Sequence, residues 1–190
     1  MSVTGWWIVM AVPGSVVAEV RPRLGPLIEG QAAAGQGGFE RWRRGELDLR
    51  CVPEQYDLAA PDLLDEHLDL LYEVWNAHAE SGPSLAASCR KGYPAVGLAH
   101  ALGPERFAAL PGWFGHFVLS PGRVRDTLPG VAAALSLDPA QRAAAEQRLR
   151  AVLDEVQDAD AAALLDGLVP VWQRARDAGW GVIGAQATPS

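Results

Sequence analysis

Four histidines, two cysteines and seven tryptophans are the side chains here best suited to catalysis or ligand capture. His67 and His78 stand eleven residues apart, which on a helix is roughly 16 Å of rise. They share a face yet cannot reach one metal ion. His100 and His116 fall in other segments, and no Asp or Cys spacing joins them into a ligand set. No metal site is predicted. His116 lies between Phe114 and Phe117 on a glycine-flanked apolar run, which makes it the candidate functional histidine. The plainer reading is an imidazole satisfied by a backbone carbonyl. Trp7 and Trp113 are the rings placed to line a cleft with it, suited to a small-molecule ligand or a peptide. Filling of the core is the competing use of the same rings.

Cys89 precedes Arg90 and Lys91, cations that lower a thiol pKa when they face it. Adjacent side chains point apart, so Cys89 reads as a buried structural thiol. Two distant cysteines are too sparse for a disulfide scaffold, and two reduced buried thiols are expected. No Gly-x-x-x-x-Gly-Lys-Ser/Thr, Gly-x-Ser-x-Gly or His-Glu-x-x-His occurs, and Gly35-x-Gly37-Gly38 lacks a strand–helix setting. The reading assigns no catalytic residue and no cofactor, and it leans away from an enzyme.

Charge points toward partners instead. The net charge is −7, against a protein built to grip phosphate backbones, so no nucleic-acid partner is expected. Residues 51–80 hold eight acids and no Lys or Arg. Asp62, Asp65, Asp69 and Glu73 form the candidate binding surface, one that would meet a basic protein partner; a solvated helix face is the bland alternative. Between Phe39 and Arg44, aromatics alternate with arginines, which reads as a short surface segment with cation–π contacts rather than a base-stacking platform.

These residues must be positioned by regular elements. Residues 6–12 are apolar on both faces and predict a central strand. Pro13 opens a short helix that Pro22 and Pro26 limit. Residues 31–38 are small and Gly-rich and predict a loop. Leu64, Leu68, Leu71 and Trp75 predict a helix over 61–79, with the chain breaking near Gly82-Pro83-Ser84. A short helix is expected over 93–102 and a strand over 113–119. Ser120-Pro121 and Asp138-Pro139 are helix starts, the second with capping-box spacing and a helix running to about Val156. A further helix begins near Asp160 and is kinked by Pro170; Gly179 caps it. Residues 180–184 form the last strand, and the tail after Ala185 is expected to fray.

Gly112-Trp113-Phe114-Gly115-His116-Phe117-Val118-Leu119-Ser120-Pro121-Gly122-Arg123-Val124 sets a Gly-rich aromatic strand before a Ser-Pro helix start. Residues 169–176 form a helix leading into Gly181-Val182-Ile183-Gly184, a short apolar strand. Together these resemble the YfbM-like family of bacterial domains of unknown function, which also carries a short N-terminal strand. Leu47-Asp48-Leu49 is similar to an acidic–leucine segment of that family. The resemblance covers about half of the chain. It implies the fold, no established activity, and an immunity-like or interaction role beside toxin systems.

Few strands and segregated helices predict an α+β fold: a small mixed sheet packed by several helices, in one domain over residues 1–186 with a frayed tail at 187–190. The run at residues 6–12 has no basic residue before it and is too short to span a bilayer, so a cytoplasmic protein without a membrane partner is expected.

Overall fold

Strand β1 (Thr4–Val12) occupies the interior of the sheet, as two apolar faces require. The computed structural model describes residues 4–81, 84–90, 92–153 and 158–188. Strand β2 (Ser84–Arg90) pairs with one edge of β1 and strand β4 (Gly181–Ala187) with the other; strand β3 (Phe117–Leu119) lies beyond β4. Every pairing is antiparallel, which corrects the mixed sheet expected. Neighbouring strands are joined through several helices, so their order along the chain leaves direction open. Trp6 stands opposite Ser88 and Ala187, and Trp7 opposite Ala87 and Gln186. The alternation puts Trp6 and Ile8 on one face and Trp7 and Val9 on the other.

Helix α1 (Gly14–Arg43) overturns two expectations. It runs through Pro22 and Pro26, and through the predicted loop at 31–38. Both prolines are exposed while Val17, Val20, Leu24 and Ile28 are buried. The missing hydrogen bonds therefore face water, and packing of the inner stripe outweighs them. The small residues of 31–38 serve close approach. A Cβ on Gly35 would overlap the Trp113 ring, and one on Gly38 would stand 3.0 Å from a Leu58 methyl. The segment 39–44 is the end of this helix. Phe39 and Trp42 turn inward onto Phe114, while Arg43 pairs with Glu105 and Arg44 with Glu46.

The acidic helix expected over 61–79 is divided. Helix α2 (Val52–Ala59) closes at Ala60, which is left-handed at φ 44°. A turn, with a 3-10 segment at Asp65–His67, then leads to helix α3 (Leu68–His78). Helix α4 (Pro94–Leu102) is buried at every position but His100 and packs on the sheet and on helix α7 (Pro139–Val152). Helix α5 (Pro104–Phe107) follows Gly103. Ser120 caps helix α6 (Pro121–Leu135), and Asp138 with Gln141 forms the capping box of α7. Val156, the expected end of α7, lies outside the described residues, as do Gly82, Pro83 and Lys91.

Helix α8 (Asp158–Asp166) and helix α9 (Leu168–Ala178) replace the single kinked helix. The break falls at Gly167, and Pro170 sits in the first turn of α9, where its missing N–H costs nothing. Gly179 caps α9 in the left-handed region, as expected. The tail is a further correction. β4 runs to Ala187 with Gln186 fully buried, and Thr188 donates from its backbone N–H and its hydroxyl to the Asp65 carboxylate. Residues 189–190 lie outside the described residues. One contiguous apolar cluster joins all four strands to the helices around them, and no helix among the described residues is long and apolar enough to cross a membrane.

Candidate functional site

The predicted strand over 113–119 is a strand only from Phe117. Before it, Trp113 and His116 exchange both backbone hydrogen bonds across a tight turn, each at 2.9 Å. Phe114 at φ 40° and Gly115 at φ 91° give this turn the handedness of the primed hairpin types. Glycine meets that demand freely and phenylalanine does not. Phe114 is held there by its surroundings. Its ring packs among Phe39, Trp42, Phe107 and Trp113, and its carbonyl accepts from Gln186 Nε2 at 2.7 Å.

The polar groups of the three residues predicted to line a cleft are all taken up by backbone partners. Trp7 Nε1 donates to the Gly115 carbonyl at 3.0 Å, and Trp113 Nε1 to the Leu58 carbonyl at 2.8 Å. His116 is 0% exposed. Its Nε2 faces the Ala60 carbonyl at 3.2 Å and its Nδ1 faces the Gln186 N–H at 3.4 Å. That pair of partners selects the neutral tautomer protonated on Nε2. Burial pushes the imidazole down to about 4, only partly offset by the Ala60 carbonyl and by Asp62. The void beside Trp7, Phe114 and Gly115 is about 20 Å³, room for about one water. The cleft expected around His116 is thus filled, because the aromatics that would have lined it pack on one another. Cys89 is buried, its Sγ 3.4 Å from the Arg90 carbonyl, as a structural thiol should be; Cys51 is exposed, against expectation, and no disulfide joins the two. Among the described residues no group of three His, Cys, Asp or Glu side chains has the spacing of a metal site.

The four predicted acids part company. Asp62 lies in the turn beside Tyr56, whose hydroxyl is raised by burial first and then by its hydrogen bond to Asp62. Asp65 anchors Thr188. Asp69 and Glu73 stand exposed on α3, and neither meets an arginine among the described residues. Glu66 is exposed as well, in the 3-10 segment that precedes α3.

About a third of the way around α3 from Asp69 and Glu73, the side chains of Leu68, Leu71, Tyr72 and Trp75 wall an apolar groove of about 280 Å³. Its other side is the sheet face carrying Trp6 and Ile8, and its floor is Ala86, Ser88, Ala185 and Ala187. The register explains the hollow. Ser88 and Ala187 flank Trp6, and Ala86 and Ala185 flank Ile8, so four small side chains surround two large ones. Trp6 remains 37% exposed and meets Tyr72 edge to face, with centroids 6.1 Å apart and planes at 87°. Trp6, rather than the expected Trp7, is the strand tryptophan that borders a hollow. Both parities of β1 are apolar, so alternation alone could not say which tryptophan faces inward. The run of small residues in β2 and β4 was the available signal.

No protein-family model matches the chain, and neither a curated protein nor a solved structure matches it.

Proposed function

We propose that this chain is a non-enzymatic binding protein whose recognition surface is the outer face of α3 with its adjoining groove, and whose partner carries positive charge. The observation that carries this is the apolar groove of about 280 Å³ walled by the helix that carries Asp69 and Glu73, acids that form no ion pair among the described residues. An apolar hollow anchors a partner, and a neighbouring field of one sign orients it. The residues best suited to catalysis point the same way. His116 and the indoles of Trp7 and Trp113 are committed to backbone carbonyls inside the core. The basic protein partner and the immunity-like role implied by the YfbM-like resemblance belong to this proposal. So does a small-molecule ligand, moved from the filled interior at His116 to the α3 groove.

Reversal of the two acids that stand free on α3 tests it. Asp69→Lys with Glu73→Lys should leave the thermal melt within a few degrees, since exposed charges are each worth under about 1 kcal/mol. It should abolish capture of the native partner at low salt, and high salt should weaken the wild-type interaction by screening. Asp62 and Asp65 are left intact because they hold Tyr56 and Thr188. Capture by the double variant equal to that by wild type would refute the assignment of this face.

A further inference from the structure

We infer that the α3 groove binds a small organic cation: a quaternary or alkylated ammonium group carried on a short apolar body. The inference rests on reading the α3 face as the binding surface and names the chemistry that face selects.

Three aromatic rings line the groove. Trp6 and Tyr72 meet at 87° and so form two walls of a corner, and Trp75 stands three residues beyond Tyr72 on the same helix face. Aromatic corners of this kind attract cations, because each ring presents a negative face, and alkylated ammonium groups gain most since they shed water readily. The floor suits the rest of such a molecule. Ala86, Ala185, Ala187, Ile8, Leu68 and Leu71 offer apolar surface, with the Ser88 hydroxyl as the polar exception.

Electrostatics select the sign. No basic side chain lines the groove. Asp69 and Glu73 lie on α3 next in sequence to the lining positions 68 and 72, and neither forms an ion pair among the described residues. An anion would find no cation among the lining side chains to receive it. A neutral apolar molecule would fill the floor but leave the aromatic corner and the acidic rim unused. Trp6 is left open by the small side chains of Ser88 and Ala187 on either side of it, where larger residues would cover it.

The test titrates the full chain with choline and with its uncharged carbon isostere, dimethylbutanol, by calorimetry and by the indole N–H resonance of Trp6. Choline should perturb the Trp6 indole and bind about tenfold or more tighter than the isostere. Trp6→Leu should weaken choline by about tenfold. Asp69→Asn with Glu73→Gln should weaken it less and flatten its salt dependence. Ala86→Leu, at an exposed position on the edge strand, should block the groove while every aromatic stays in place, and a thermal melt shows that each variant is folded. Equal binding of choline and dimethylbutanol would overturn the inference and leave an apolar binding groove. Failure of both to move the Trp6 resonance at millimolar concentration would overturn it outright. If charge reversal on α3 still abolished partner capture, only the small-cation chemistry would have failed.

Discussion

His116 shows how a histidine that looks functional in a sequence becomes structural in a fold. Its signal was an imidazole between two phenylalanines beside glycines, and the same features describe a residue closed into a core. What decided the matter was a carbonyl at Ala60 and an N–H at Gln186, groups invisible in the local sequence. The arrangement has a consequence for stability. The imidazole titrates near 4 in the folded chain and near 6.5 when unfolded, so between those values the unfolded state holds a proton that the folded state lacks. The stabilisation is complete above about pH 6.5, falls as pH drops, and is exhausted near pH 4. The slope contributed is up to about 1.4 kcal/mol per pH unit. His116→Gln offers an amide N–H to Ala60 and an oxygen to Gln186 without the charge. Urea denaturation across this window should show wild type losing stability more steeply than the variant by about 1 kcal/mol per unit. The carboxylates and His100 titrate in both proteins and cancel in the difference. Parallel pH profiles would mean that His116 takes up its proton without cost.

At the scale of elements, capping chemistry was legible and glycine was not. Ser120-Pro121, Asp138 with Gln141, and Gly179 act where their spacing says they should, because each satisfies its own helix end. The glycines of α1 were misread because propensity measures an isolated helix, whereas this one is held by tertiary contact. Two of them separate the effects. Gly35 is pressed against the Trp113 ring, whereas a Cβ added at Gly37, two residues on, would meet nothing within 4 Å. Gly35→Ala should destabilise the protein by about 1–3 kcal/mol, the usual range for forcing a methyl into a filled site. Gly37→Ala should stabilise it by about 0.5–1 kcal/mol, because alanine loses less backbone freedom in a helix. Chemical denaturation of the two single variants reads both signs. Equal changes would mean that 31–38 is not packed on the 113–116 turn. The divided acidic helix teaches a related point. Leu64 and Leu68 keep helical spacing, yet Ala60 turns left-handed before Pro61 and the regular helix starts only at Leu68.

The whole molecule is closed by its two ends, since β1 and β4 lie side by side in the middle of the sheet. Their strand character was readable from apolar runs, but their adjacency joins residues near opposite ends of the chain and leaves no local trace. Gln186 is where that adjacency matters most. From β4 its Nε2 donates to the Phe114 carbonyl at 2.7 Å, its Oε1 accepts from the Ala95 N–H at 3.2 Å, and its backbone N–H meets His116. One side chain thus fastens the last strand to the start of α4 and to the strained 113–116 turn. The segment expected to fray is therefore a keystone of the interior. Gln186→Met tests this, because methionine keeps the volume and removes only the amide. Two buried backbone groups are then orphaned, at about 1–3 kcal/mol each. A total near 3 kcal/mol should lower the melting temperature by about 6–12 °C for a chain of this length. The transition should stay single, because one apolar cluster spans the sheet and its helices. The indole N–H of Trp7 should exchange faster with solvent, since it bonds the Gly115 carbonyl of the loosened turn. The groove at Trp6, on the opposite sheet face, should keep its ligand affinity at temperatures where the variant remains folded. A melt unchanged by Gln186→Met would show that the turn is held by its aromatic packing alone.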